Sequence, residues 1–210
     1  LSTVHGDLAK RQILTFLDDS KIGVTRANQI VTNMLSFSRR PDELGALENM
    51  ADLMEQTLLL AATDYDLKKK HDFRKIQIDK EYDPLTPPVS CQGSKIQQVF
   101  LNILRNAAEA MEESRTETNP PRITIRIAFS GKWVRIEIAD NGPGMEEAVR
   151  KRVFEPFFTT KAPGVGTGLG LSVSYFIITE NHGGTISVES SPGTGTRFII
   201  QLPAAEENRI

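Results

Sequence analysis

The chain has 210 residues, with 25 Lys and Arg against 27 Asp and Glu and a net charge of -2, so no broad attraction to nucleic acid or to an anionic membrane is expected. That length holds one ordinary domain plus an extra element, and the 39% apolar share is low for a compact globule, as a long exposed helix and a mobile loop would make it. The single cysteine, Cys91, cannot form an internal disulfide, which points to a reducing compartment. No apolar run reaches transmembrane length, so direct membrane contact is not expected. The opening Leu1-Ser2-Thr3-Val4 is no signal sequence and lacks Met, and it reads as a piece of something longer.

From about Gly6 to Arg40 there is no proline, and Ile13, Leu17, Ser20, Val24, Ala27, Val31 and Met34 alternate four and three apart. That is a heptad seam with only Ser20 polar. A helix of roughly 30 residues is about 45 Å long, more than a small domain buries, so it is expected to pair with other helices. Pro41 ends it. Leu47, Met50, Leu53, Met54, Thr57, Leu58 and Ala61 mark a second helix, and Phe73, Ile76 and Ile78 a strand. Asp83 to Pro88 is a proline-rich loop. Ser94 is the expected N-cap of a strongly amphipathic helix through Ile96, Val99, Phe100, Ile103, Leu104 and Ala107. Ile123, Ile125 and Ile127, then Val134, Ile136 and Ile138, alternate with polar residues as antiparallel strands joined near Ser130-Gly131. The Gly- and Pro-punctuated segment from Asn141 to Gly168 is too long for a plain connection and reads as a functional lid. Leu169 to Thr179 reads as a helix, and Thr185 to Glu189 and Thr196 to Leu202 as closing strands. The expected fold is α+β, a two-layer α/β sandwich with helices on one face of a mixed sheet, preceded by a long coiled-coil-like helix.

Four short blocks follow one another in the C-terminal half: Asn102-Ile103-Leu104-Arg105-Asn106-Ala107, Asp140-Asn141-Gly142-Pro143-Gly144-Met145, Phe154-Glu155-Pro156-Phe157-Phe158-Thr159-Thr160-Lys161 and Gly166-Thr167-Gly168-Leu169-Gly170-Leu171. Asn102 and Asn106 share a helix face. A carboxamide offers Mg²⁺ a hard oxygen without adding charge, although a lone Asn pair is more often a solvated face. Asp140 ends a strongly alternating strand, where a carboxylate can accept the exocyclic amine proton of adenine. Gly142 and Gly144 let backbone approach a flat base, and they are also good turn chemistry. Gly166, Gly168 and Gly170 open a helix whose amides and dipole suit an anion. Lys161 is a candidate phosphate contact or simply an exposed lid lysine. Phe154, Phe157 and Phe158 read as lid anchors or as a structural cluster.

Together the blocks resemble the N, G1, F and G2 boxes of a sensor histidine kinase ATP-binding domain, whose Bergerat fold is shared by the GHKL ATPases. The resemblance implies ATP and Mg²⁺ as ligands. It assigns Asn106 to the metal, Asn102 to support beside it, and Asp140 with Thr196 to the adenine. It places Gly142, Gly144, Lys161, Gly166, Thr167, Gly168, Leu169 and Gly170 around the nucleotide. Residues 26–39 resemble the second helix of the family's dimerisation hairpin. The implied domains are therefore residues 1–41, part of that hairpin, and residues 42–210, the catalytic ATP-binding domain. The implied function is transfer of phosphate from ATP to a hairpin histidine and on to a response-regulator aspartate. The implied setting is cytoplasmic, with homodimerisation through the N-terminal helix. A GHKL ATPase without kinase activity and a non-catalytic dimerisation module are the alternatives.

An acceptor histidine is not evident. His71-Asp72-Phe73-Arg74 imitates the start of the family's H box, but it lies at a strand start and lacks the Pro. His5 lacks the motif, and His182 sits in the turn Asn181-His182-Gly183-Gly184. Each is expected to be a surface histidine. The acceptor and its neighbouring acid are expected upstream of Leu1, which leaves no catalytic residue to assign here.

Overall fold

The computed structural model describes residues 45–63, 73–113, 119–161 and 166–205. The expected long helix, the domain of residues 1–41, His5 and His71 lie outside them.

Strand β1 (Ala46–Glu48) leads into helix α1 (Met50–Thr63). Asn49 sets the start of α1. Its Oδ1 accepts from the amides of Ala51 at 2.8 Å and Asp52 at 3.3 Å, which satisfies donors that a first turn leaves open. Leu47, expected within the helix, is therefore outside it in β1 and exposed. The other expected positions, Met50 through Ala61, are the buried face of α1. Phe73 was also expected in a strand. Instead it opens a 3₁₀ turn, Phe73–Lys75, and the strand β2 runs Gln77–Tyr82. Phe73 is buried under that turn rather than in the pleat.

Short β3 (Val89–Cys91) pairs antiparallel with β1. It leads into helix α2 (Gly93–Glu113). The carbonyl of Gln92 accepts from the amides of Lys95 and Ile96 at 2.9 and 3.1 Å. Gln92, not Ser94, thus occupies the cap position, and Ser94 is exposed in the first turn. Ile96, Val99, Phe100, Ile103, Leu104 and Ala107 are all buried, as the amphipathic spacing requires.

Strands β4 (Arg122–Ser130) and β5 (Trp133–Asp140) form the expected hairpin, turning at Gly131 with φ 66°. After the segment holding a one-turn helix, α3 (Glu147–Arg150), come α4 (Gly170–Phe176) and its π-helical continuation, Ile177–Asn181. β6 (Thr185–Ser190) and β7 (Thr196–Pro203) close the chain. The main sheet has the order β2-β4-β5-β7-β6. The β2–β4 pair is parallel and the others antiparallel, so the sheet is mixed.

One core joins α1, α2 and α4 to the inward residues Ile123, Ile125, Ile127, Val134, Ile136 and Ile138. Among the described residues the opposite face carries ion pairs and no second helical layer. Arg126 meets Glu81 at 2.6 Å, and Arg135 meets Glu137 at 2.7 Å. Arg197 lies between Glu137 and Glu189 at 3.8 and 3.3 Å. This is the expected two-layer α+β sandwich.

Candidate functional site

Asp140 is the last residue of β5, opposite Ile123 on β4 and Thr196 on β7. Its Oδ1 accepts from the amides of Gly142 at 2.9 Å and Thr196 at 3.2 Å. Among the described residues no donor meets its second oxygen. Burial pushes the Asp140 carboxyl up to about 6, against the pull of those two amides. The group is a half-buried acceptor with one oxygen to spare. Gly142 keeps the loop close to α2: a Cβ there would lie 2.9 Å from Asp140 Oδ1 and 3.4 Å from Met111 Cγ. Gly195, at φ 80°, stands where a Cβ would strike the Asp140 carbonyl.

Gly144 has its own structural reason. At φ 71°, its missing Cβ makes room for the Ser191 carbonyl in the β6–β7 turn. Pro143 O accepts from Gly193 N at 2.7 Å, and Met145 N donates to Ser190 Oγ at 2.9 Å. Ser190 Oγ also donates to Gly195 O at 2.8 Å and lies 3.2 Å from Thr196 Oγ1. Sequence reading missed Ser190, a hub between the loop and the closing strands. It also missed the side chain of Asn141, whose Oδ1 accepts from Arg122 N at 2.8 Å and so pins the loop's root to β4.

On α2, Asn102 Nδ2 donates to Gly170 O at 3.1 Å and to Ser174 Oγ at 3.3 Å. Its amide group ties α2 to the start of α4. Asn106, one turn further along, is half-buried with no side-chain partner among the described residues. Its oxygen is available. One more turn along, the Glu109 carboxylate pairs with the Lys161 ammonium. A Cβ on Gly166 would lie 3.1 Å from Lys161 Cδ and 2.9 Å from Thr159 Oγ1. That glycine gives the lysine stem room to pass.

Gly168, at φ 64°, lies against the backbone of Phe157, a non-glycine at φ 65°. Two neighbouring segments thus share a left-handed contact that side chains rarely allow. Thr167 Oγ1 accepts from Leu169 N at 3.4 Å, and the Leu169 side chain is buried. The aromatic block divides its labour. Phe154 packs on Tyr175 and Phe198, with ring centroids 5.5 and 6.4 Å apart. Phe158 lies under the Arg152 guanidinium at 4.3 Å, while Phe157 is exposed. So the segment is tied down at Phe154 and at the buried Val153.

His182 is not the surface residue that its turn suggested. Nε2 accepts from Gln92 N at 3.1 Å, so Nδ1 carries the proton and donates to Ile177 O at 2.7 Å. Burial lowers its pKa and keeps it neutral. The ring bolts the start of α2 to the end of α4.

These elements all approach α2. A Cβ on Gly142 would stand 3.6 Å from Ala110 Cβ and 3.4 Å from Met111 Cγ on α2, Lys161 reaches α2 at Glu109, and Gly170 lies along it at Asn102. Asn102, Asn106 and Glu109, four and three residues apart, share one stripe of the helix.

Residues 91–206 match the family of histidine kinase-, DNA gyrase B-, and HSP90-like ATPases. Sporulation kinase E of Bacillus subtilis is 37% identical over 88% of this chain, and the match spans 23% of that protein. Sensor protein FixL of Bradyrhizobium diazoefficiens is 32% identical over 91% of this chain and 36% of its own length. The chain thus spans about a quarter to a third of these relatives. The catalytic domain of histidine kinase ThkA superposes with a TM-score of 0.61 at 29% identity, covering 77% of this chain and 96% of that one. The chain belongs to this ATPase family, and within it to the sensor histidine kinases. What is described above is their ATP-binding catalytic domain.

Proposed function

We propose that this domain binds Mg·ATP along α2 and passes its γ-phosphoryl group to a histidine of a dimerisation hairpin, for relay to a response-regulator aspartate. The observation that carries the site is the spare oxygen of half-buried Asp140, an acceptor for the exocyclic amine of adenine. Guanine offers a carbonyl at that place and would meet a repulsive anion. Thr196 holds Asp140 in position through its amide and closes the pocket beside it. The glycines Gly166, Gly168 and Gly170 leave backbone bare towards the phosphates, and Lys161 supplies a cation.

The chemistry of Asn106 suits Mg²⁺. Among the described residues no three His, Cys, Asp or Glu side chains cluster as a metal site. A neutral oxygen with no protein partner is what a Mg²⁺ shared with phosphate and water requires of the chain. When bound, the ion would neutralise charge developing on the transferred phosphoryl group. Asn102, occupied by Gly170 and Ser174, keeps α2 and α4 in register beside it.

Residues 1–41 fit as the second hairpin helix, through which a homodimer would form. The cytoplasm, where ATP is supplied, is the expected setting. Among the described residues no helix is long and apolar enough to cross a membrane. Histidine kinase ThkA has been solved in complex with response regulator protein TrrA, and that structure matches with a TM-score of 0.65 at 28% identity over 89% of this chain and 50% of that one. It supports a receiver domain as the final partner here. His182 does not serve as acceptor, since both ring nitrogens are engaged.

The test has two parts. Calorimetry should show ATP binding that GTP does not reproduce. With radioactive γ-phosphate the 210-residue chain should not label itself, and a separate polypeptide carrying an H-box helix should acquire acid-labile label. Label on the chain alone, abolished by His71→Gln, would overturn this assignment of the acceptor.

A further inference from the structure

The Lys161–Glu109 ion pair lies on the stretch of α2 along which the nucleotide is proposed to bind. Gly142, beside the proposed adenine acceptor, faces α2 where a Cβ on it would lie 3.6 Å from Ala110 Cβ and 3.4 Å from Met111 Cγ. Asn106 marks the metal and phosphate end one turn towards the N-terminus. Glu109 lies between the two on the same stripe, and Lys161 reaches it there. Both side chains remain about a third exposed, at 35% each, so the pair is exchangeable rather than sealed. The lysine's course is defined at two further points. Its stem runs past Gly166, where a Cβ would lie 3.1 Å from Cδ, and its amide donates to Thr159 Oγ1 at 3.2 Å.

Resting on the nucleotide reading above, we propose that Glu109 is a built-in competitor for the ATP phosphates: it and they are rival anions for the single ammonium of Lys161. A polyphosphate carries more charge and more acceptor oxygens than one carboxylate, so it wins the lysine. It does so at the cost of the ion pair and of a carboxylate left facing it. Glu109 thereby sets how tightly ATP is held, and it does so without touching the adenine.

A double-mutant cycle on the whole chain tests this, with ATP, ADP and AMP titrated by calorimetry. Both side chains are partly exposed, so the variants are expected to fold, and circular dichroism checks it. Glu109→Gln should tighten ATP about two- to fivefold, the range that a partly exposed ion pair supports. In a Lys161→Met background the same change should give little or none of that gain. Equal gains in both backgrounds would mean plain charge repulsion and would overturn the rivalry. No gain, or weaker ATP binding, would overturn it too, the latter making Glu109 a helper that aims Lys161. If the unmodified chain binds neither ATP nor AMP, the nucleotide reading itself fails and this inference falls with it. Binding of both with a flat cycle removes only the role of Glu109.

Discussion

Replacing Asp140 by Asn separates what this residue does for the fold from what it does for the ligand. An acid that titrates at about 6 rather than 3.8 costs the folded protein up to about 3 kcal/mol when ionised. The sign follows from the direction. Because the folded-state value is raised, the penalty is full above about pH 6 and fades as the pH falls towards 4. An amide is isosteric, keeps an oxygen for the amides of Gly142 and Thr196, and carries no charge to desolvate. At pH 7 Asp140→Asn should therefore be more stable than the parent by about 1–3 kcal/mol, several degrees in Tm. Near pH 4.5 that advantage should shrink. Binding should move the opposite way. The variant loses a charge-assisted bond to the adenine amine, and AMP affinity should drop at least about tenfold, or 1.4 kcal/mol. Parent AMP affinity should itself fall as the pH passes below about 6, because the ligand requires the ionised carboxylate, and the variant should lack that dependence. The assays are thermal unfolding and AMP calorimetry at both pH values. A variant less stable than the parent at pH 7 would refute the buried-anion reasoning. AMP affinity unchanged, with the fold intact, would remove Asp140 from the site.

Asn106→Ala should weaken ATP binding with Mg²⁺ present far more than binding in EDTA, read by calorimetry under both conditions; equal losses would make the residue a packing element. His182→Ala leaves the Gln92 amide without its acceptor and should cost about 1–3 kcal/mol in urea unfolding. His182 has a lowered folded-state pKa, so its contribution is present above the unfolded value of 6.5 and lost as the pH falls below it. The alanine variant should therefore lose less stability than the parent between pH 7 and 5. Gly144→Ala puts a Cβ against the Ser191 carbonyl at φ 71° and should destabilise by more than about 1 kcal/mol; a neutral result would mean that the β6–β7 turn yields easily.

Much of this was readable in the chain because it rests on periodicity and on turn chemistry. The three-and-four spacing of Ile96 to Ala107 and the two-residue alternation from Ile123 to Ile138 each name a buried face directly, and those faces form the core. The misplacements occurred where one hydrogen bond outranks a pattern. Leu47 is apolar and in phase with α1, but the Asn49 side chain starts the helix after it. Ser94 is a better cap by type than Gln92, but the Gln92 carbonyl takes the first-turn amides and His182 takes the Gln92 amide. That second bond spans 90 residues, and no local window contains it. The site divides in the same way. Asp140 and Gly142 sit in one recognisable block, Thr196 follows from the resemblance, and the three do come together. Glu109 lay in plain sight, three residues after Asn106 on its stripe, but its partner comes from 52 positions away. Ser190 had no signal at all: a serine at a strand end is common, and only folding brings Met145, Gly195 and Thr196 around it.

The two margins of the main sheet bear on how such a domain behaves in company. Among the described residues β2 pairs only with β4, and β6 only with β7, so within that part each presents an open row of backbone groups along its outer side. Rows of that kind invite strands of other molecules to zip on. Here β2 spends three of its six residues on charge, Asp79, Lys80 and Glu81, and β6 alternates exposed Thr185, Ser187 and Glu189 with buried Ile186 and the half-buried Val188 and Ser190. Neither margin offers the uncharged, β-branched run that an intruding strand needs. Two such domains can therefore be crowded together, as any assembly of catalytic units requires, without their sheets fusing edge to edge.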